Sequence, residues 1–239
     1  MESNVLNQES SSFVNEKSKF LGKCYAWLSL GMILSAISAY FVAYVPVVFR
    51  TIFSNNGLGF YILIITELVL VIALSANIRK INLSTAKLMF VFYSIVNGAT
   101  LSTILFLYDI SSIAYVFLAS AGMFLVMSIY GLKTKKDLTS FGKYLIMALL
   151  GIIIASLLYS ILTFVLKQPL RLLDLFISFA GVVIFTGLVA FDTQRMLRAA
   201  ENSNDSEDYR KLSIYVALEL YLDFINIFLK LLSLFGRRK

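Results

Sequence analysis

The chain has 239 residues, of which 59% are hydrophobic and 15% charged, whereas soluble globular proteins are about 45–50% apolar and about 25% charged. This composition excludes an ordinary soluble domain and indicates an integral membrane protein. The chain has no histidine, which excludes histidine catalysis, histidine metal ligands and the usual neutral-pH switch. We attribute the net charge of +7 to membrane topology and anionic lipid headgroups, not to nucleic-acid binding.

The predicted elements are a polar tail and seven apolar spans. Residues 1–20 are polar and are predicted to form a flexible cytoplasmic tail. The apolar segment that follows is too long for a signal peptide, so we interpret it as a retained first span. Each segment, as a helix, is long enough to cross a hydrocarbon core of about 30 Å. The segments cover approximately residues 21–45, 58–78, 88–108, 111–130, 144–166, 172–191 and 212–235. We predict an all-α fold with one seven-helix transmembrane domain over 21–236, a basic tail over 237–239, and a monomer in the lipid bilayer.

The distribution of Lys and Arg predicts the orientation. These residues are concentrated near the N-terminus and in the loops after the second, fourth and sixth spans. The positive-inside rule therefore places the N-terminus in the cytoplasm. Seven crossings would then put the basic C-terminus outside, against the rule. The last segment either crosses against the rule or dips into the membrane and returns, and the sequence leaves both possibilities open.

The last apolar segment carries a stripe of polar residues. Spacings of four, three and four residues put the stripe on one face of a helix. Its members are Glu219, Asp223, Asn226 and Lys230. A charge at the bilayer centre costs at least about 2.5–3.5 kcal/mol, so the stripe must face protein or water. The seventh helix is therefore predicted to be central in the bundle.

Two aspartates lie on consecutive predicted helices: Asp192 ends the sixth span and Asp223 lies within the seventh. If they meet, two carboxylates in a low-dielectric site cannot both ionise cheaply, so the pair would share a proton and sense pH. When ionised, both would offer oxygen ligands for weak, passing calcium coordination. In the structural alternative, Asp192 is an interfacial helix-end residue and Asp223 is neutralised by Lys230 or by an arginine of another span.

Glu67 lies in the middle of the second span, and Arg79 follows that span. A mid-span glutamate needs a partner, for which Glu219 and Lys230 are candidates. A structural ion pair and an ion-pathway role are both compatible with this placement. The complete set of pathway or ion-pair candidates is Glu67, Glu219, Asn226, Lys230 and Arg79. The single cysteine, Cys24, allows no intrachain disulfide and is interpreted as a packing residue.

Several motifs resemble the Bax inhibitor (TMBIM, or lifeguard) family of integral membrane proteins. They are Phe191-Asp192-Thr193-Gln194, the segment 217–226 with Tyr221-Leu222-Asp223-Phe224, Asn97-Gly98-Ala99-Thr100-Leu101-Ser102, Lys135-Lys136-Asp137-Leu138-Thr139, Ala26-Trp27 and Glu67. The resemblance implies a seven-helix fold with the last helix central. It also implies a pH-sensitive calcium leak in which Asp192 and Asp223 act as sensor and latch. An arginine near the second helix would engage the pair, and Arg79 is the nearest basic residue.

Two other functions compete with the calcium leak. An intramembrane aspartyl protease also uses one aspartate on each of two adjacent helices, but Asp223 lacks the small-residue context that such a protease needs for its substrate. A membrane interaction protein of the cell-death regulator type would transport nothing. We expect a non-enzyme without a cofactor, with calcium as the transported ion. The small size and the lack of organelle signals favour a bacterial plasma membrane.

Overall fold

The computed structural model describes residues 2–53, 57–201 and 206–239, with side chains described from residue 16 onward. Within these ranges the regular structure is helical, apart from one isolated β-bridge. The helices are α1 (Glu2–Tyr44), α2 (Pro46–Phe53), α3 (Leu58–Asn77), α4 (Leu83–Leu101), α5 (Ile104–Leu107), α6 (Ile110–Lys133), α7 (Thr139–Leu166), α8 (Arg171–Glu201) and α9 (Glu207–Phe235). Seven segments of this described part are long and apolar enough to cross a membrane, which confirms the predicted all-α, seven-span fold.

The helices extend beyond the apolar segments at two places. The backbone of residues 2–20, predicted to be a flexible tail, is helical and continuous with the first span. The polar stretch between the last two spans is mostly helical too, because α8 continues to Glu201 and α9 begins at Glu207. The interruption between α4 and α5 comes where the Ser102 hydroxyl bonds back to the Ala99 carbonyl at 2.6 Å, a local bond that competes with the helix.

The chain divides into two compact units. The first contains Met1–Leu107 and Met196–Tyr221, and the second contains Tyr108–Arg195 and Leu222–Lys239. In the first unit, α1 and α4 pack closely through small residues: a Cβ added to Gly98 would collide with the backbone of Ser35. Next to this contact, the rings of Trp27 and Phe90 pack edge to face at 5.6 Å. Small residues at helix crossings are the usual means of bringing membrane helices together.

In the second unit, α8 and α9 pack antiparallel. The Ser233 hydroxyl of α9 donates to Asp174 Oδ2 near the start of α8 at 3.3 Å. About two turns further along α8, the aliphatic stem of Lys230 lies against Gly181, where an added Cβ would be 3.1 Å from Lys230 Cγ. These two contacts give the relative register of the two helices in this unit.

The seventh span is the most buried of the seven. In the most apolar stretch of this span, 67% is buried within the protein, against 6–44% in the corresponding stretches of the other spans. Within the stripe, Asp223 is buried, and Glu219, Asn226 and Lys230 are half-buried. The prediction of a central last helix is therefore confirmed.

Helix α9 is continuous over 29 residues, which is about 43 Å and enough for a complete crossing. A cluster of contacts, here called the C-terminal clasp, joins its end to the turn before α6. The Asp109 N–H donates to the Arg237 carbonyl at 3.0 Å, and the Arg237 N–H donates to the Ser112 hydroxyl at 2.8 Å. The Arg237 side chain lies 3.4 Å from the Asp109 carboxylate. Lys135 lies beyond the opposite end of α6, so α9 does not return to the side of Lys135.

The clasp predicts the sidedness of the second unit. In a Cys24→Ser background, cysteines at Arg237 and at the exposed Ile110 should react with a membrane-impermeant maleimide from the same side of the membrane. A cysteine at Lys135 should react only after the membrane is opened, because α6 separates it from the clasp. Equal labelling of residues 135 and 237 in intact cells would contradict a complete crossing by α9.

Candidate functional site

Asp192 lies on the buried face of α8. Its side chain is 12% exposed, and its Oδ1 lies 3.7 Å from Arg195 Nη1, one turn further along the helix. Arg195 itself is 45% exposed and can keep part of its guanidinium in a polar environment. Because an isolated buried carboxylate is costly, this neighbouring cation offsets part of the cost of burying Asp192.

The residues on either side of Asp192 fix α8 against α6 and α7. A Cβ on Gly142 of α7 would collide with the Phe191 ring, and one on Gly131 of α6 would collide with the Ala190 carbonyl. The Thr193 hydroxyl bonds the Ser128 hydroxyl at 3.3 Å. These close contacts with two helices restrict the rotation of α8 at the level of Asp192.

Gln194 joins α8 to the segment between α6 and α7. Its Oε1 accepts the Leu138 N–H at 2.9 Å, and its Nε2 donates to the Lys136 carbonyl at 2.8 Å. Two of the sequence motifs, 191–194 and 135–139, are thus in direct contact. Sequence reasoning identified both motifs without pairing them. The signal that pointed to a partner was a glutamine at the end of an apolar span, since a buried amide needs hydrogen bonds.

Asp223 lies on α9 and is 4% exposed. Its neighbour Phe224 packs edge to face against Phe117 and Phe124, with ring centroids 5.4 and 5.8 Å apart. The α8–α9 register places Asp223 level with residues 184–188 of α8. It is therefore four to eight residues from Asp192, or roughly 6–12 Å along the helix axis. The two carboxylates thus lie on packed, antiparallel helices, one to two turns apart.

Glu67 belongs to a different polar cluster, in the first unit. The side chains of Thr100 and Asn97 are within hydrogen-bonding reach of its carboxyl group. Glu67 Oε1 is buried and accepts no hydrogen bond from the residues that the structure describes. The polar face of α4 therefore supplies neighbours for Glu67 that the sequence prediction, which named Glu219 and Lys230, did not consider.

The other candidates have distinct surroundings. Arg79 is exposed in the turn after α3 and lines a cavity of about 390 Å³ with Asp208 and Lys211. Lys230 faces Asp174, the acidic group with which it interacts electrostatically. Asn226 donates to the Leu222 carbonyl of its own helix at 2.8 Å. Glu219 is half-buried on α9, within the part of that helix that belongs to the first unit.

No group of three or more acidic or cysteine side chains lies close enough to hold a metal ion in residues 16–53, 57–201 and 206–239. Calcium takes six to eight oxygen ligands. A calcium ion at Asp192 or Asp223 would therefore depend on water and backbone oxygens for most of its coordination.

Comparisons with known proteins identify the family. The family model described as "Inhibitor of apoptosis-promoting Bax1" matches residues 17–239. The chain belongs to the Bax inhibitor family. It is 43% identical over 223 residues to the protein named "Inner membrane protein YbhL" of Escherichia coli K12, covering 92% of each chain. A protein of Borreliella burgdorferi is 42% identical, covering 93% of this chain and 94% of its own. One from Deinococcus radiodurans is 36% identical, with coverages of 92% and 90%.

This family membership confirms the resemblance inferred from the motifs and makes the chain an integral membrane protein. The match reaches the C-terminal residue, so it includes both aspartates and the segments that position them. The bacterial relatives cover nearly the whole chain.

The packing of α6 on α8 predicts opposite effects for two glycine substitutions on the same helix. Gly131→Ala should destabilise the protein by about 1–3 kcal/mol, because the added methyl group overpacks the contact with Ala190 and Thr193. Gly122→Ala is the control, since a Cβ there meets nothing within 4 Å. It should be neutral or stabilising by up to about 1 kcal/mol, because alanine favours the helix. Thermal unfolding in detergent measures both, and equal melting temperatures would contradict the described contact.

Proposed function

We propose that this protein is a pH-sensitive calcium leak channel, gated by a proton that Asp192 and Asp223 share. The observation that carries the proposal is the burial of both aspartates, which as whole residues are 9% and 4% exposed, on packed antiparallel helices. Intramembrane ionisable residues are expensive and usually functional. The chain offers no histidine for the same purpose, so carboxylates have to carry a titration near neutral pH.

The proposed mechanism depends on electrostatic coupling. With both carboxylates ionised, their repulsion in a low-dielectric interior is offset in part by Arg195, which lies beside Asp192. Gain or loss of one proton changes that repulsion and so the packing of α8 on α9, and the ionised carboxylates offer oxygen ligands for a passing cation. Because an O–H···O hydrogen bond spans about 2.8 Å, a separation of roughly 6–12 Å along the axis requires a chain of bridging waters to carry the shared proton.

The cation path is proposed to continue through polar residues of the bundle. Glu67, with Thr100 and Asn97 beside it, offers carboxylate, hydroxyl and amide oxygens of the kind that calcium prefers. Glu219 and Asn226 on α9 are further candidates. Lys230 would repel a cation, but its neighbour Asp174 offsets that charge. Arg79 remains the candidate for the arginine that engages the aspartate pair.

We propose a bacterial plasma membrane as the location, with the N-terminus in the cytoplasm, as the positive-inside rule predicts. The protein would act as a monomer whose partners are the lipid bilayer and calcium, without a cofactor or nucleic acid. The protease alternative is disfavoured because Asp223 lies in Tyr221-Leu222-Asp223-Phe224, without the small residues that such a protease needs beside its aspartate for substrate approach. A non-transporting interaction protein is the remaining alternative.

Substitution of the aspartates tests the proposal. In liposomes that contain only this protein, calcium influx should change with pH between about 5 and 8, a range accessible to a coupled carboxylate pair. Asp192→Asn and Asp223→Asn should each flatten this pH profile, because the remaining carboxylate loses its like-charge neighbour. The double variant should add little, because the pair acts as one unit.

The matched control is Glu201→Gln on the same helix as Asp192, a carboxylate whose side chain is 50% exposed. It should retain the wild-type profile. A wild-type profile in both single variants would assign structural roles to the aspartates. No flux from the wild-type protein at any pH would rule out the leak and favour the interaction protein.

A further inference from the structure

A chain of buried polar side chains crosses the first unit at Tyr221 of α9. The Tyr221 side chain is fully buried. Its hydroxyl donates to Asn97 Oδ1 of α4 at 2.7 Å and lies 2.6 Å from the Ser35 hydroxyl of α1. Asn97 is in turn within hydrogen-bonding reach of Glu67 on α3. The chain Glu67–Asn97–Tyr221–Ser35 therefore connects four helices.

Few hydroxyl hydrogens are available for these side-chain contacts, so the one that Tyr221 donates cannot be replaced by a neighbour. Ser35 Oγ also lies 2.7 Å from the Ser94 carbonyl and 2.9 Å from the Gly31 carbonyl, yet a serine hydroxyl has one hydrogen to donate. Tyr221 likewise has one, which it donates to Asn97. Loss of the Tyr221 hydroxyl would leave a buried acceptor on Asn97 without its donor, and unsatisfied buried groups are costly.

The ring and the hydroxyl of Tyr221 contribute differently. The ring packs edge to face against Tyr93 at 5.7 Å and Phe90 at 6.4 Å, and a phenylalanine ring would keep these contacts. The hydroxyl instead fixes the rotation of α9 about its own axis, because it has to contact both Ser35 of α1 and Asn97 of α4. Asp223 follows two residues later, about 200° around the same helix, so the rotation that Tyr221 fixes also sets the direction of Asp223.

We propose that Tyr221 is a positioning residue whose hydroxyl, held between Ser35 and Asn97, sets the rotation of α9 and so the placement of the Asp223 carboxylate. The expected effect of Tyr221 on calcium flux rests on the function proposed above, whereas its expected effect on the rotation of α9 does not. The titratable groups beside Tyr221 are Glu67 of α3 and Tyr93 of α4.

On the opposite face of α9, the charged groups that enter the pH dependence are Asp223 itself with Glu219 and Lys230 of the same helix. Those of α8 are Asp192 with Arg195, and Asp174 beside Lys230. None of them is altered by a substitution at Tyr221 or at Tyr93. A change in the pH profile caused by Tyr221→Phe would therefore report a change in placement and not the loss of a titrating group.

The test compares Tyr221→Phe with Tyr93→Phe, which removes a hydroxyl that takes no part in the chain and lies on a ring only 3% exposed. Both are made in full-length protein carrying Cys24→Ser and a reporter cysteine at the half-buried Leu222. We measure the rate of reaction with N-ethylmaleimide in liposomes. Tyr221→Phe should raise it about fivefold, the factor that corresponds to one hydrogen bond of about 1 kcal/mol, and Tyr93→Phe should not.

Calcium flux in the same liposomes is the second readout, and the pH of half-maximal flux should shift in Tyr221→Phe alone. Faster labelling with a wild-type pH profile would reduce Tyr221 to a structural residue and overturn the proposal. Equal labelling rates in the two variants would overturn it as well. If the wild-type protein carries no flux while the labelling difference is present, the calcium leak fails and the positioning of α9 by Tyr221 is supported.

Discussion

The structure depends on one constraint: polar side chains of α9 have to be accommodated inside an apolar bundle. A polar stripe that includes Asp223 and Lys230 would be expelled from lipid, so it has to face protein or water. Asp223 is buried, and Glu219, Asn226 and Lys230 are half-buried. The most apolar stretch of α9 is 67% buried within the protein. In α3 and α7, by contrast, only 6% of the most apolar stretch is buried within the protein. The functional groups and the fold are therefore products of the same requirement.

Close packing of glycines against α8 and α1 makes this arrangement rigid. Gly131 and Gly142 bring α6 and α7 into contact with α8 on both sides of Asp192, and Gly98 brings α4 into contact with α1 beside Ser35. Helices in a bilayer gain little from burying apolar surface, so close van der Waals contact and interhelical hydrogen bonds have to hold them together. Such contacts restrict rotation as well as separation, and that restriction gives a buried carboxylate a definite environment.

Much of this was predictable from the sequence because the strongest signals are local. The seven spans follow from hydropathy, the central position of α9 from the spacing of its polar residues, and the family from short motifs such as 191–194. The partners of Gln194 and Tyr221 were not predicted. Gln194 bonds residues 56 and 58 positions away, and Tyr221 bonds residues 124 and 186 positions away. No periodic pattern specifies such pairs, since they depend on how helices distant in sequence come together. Whether the last segment crosses or returns could not be decided from charge, because it depends on contacts such as Asp109–Arg237, which join residues far apart in sequence.

The hydrogen bonds from Gln194 to the main chain have a consequence for how the sequence of this membrane protein can change during evolution. Its amide holds the Lys136 carbonyl and the Leu138 N–H, which are main-chain groups that every residue except proline provides. The lysines at 135 and 136 contribute to the charge bias that orients a membrane protein during insertion. Because these hydrogen bonds go to main-chain atoms, those lysines can be exchanged for other residues without loss of the contact. Orientation and packing are therefore encoded by different atoms of the same short segment, so selection can alter one without disturbing the other.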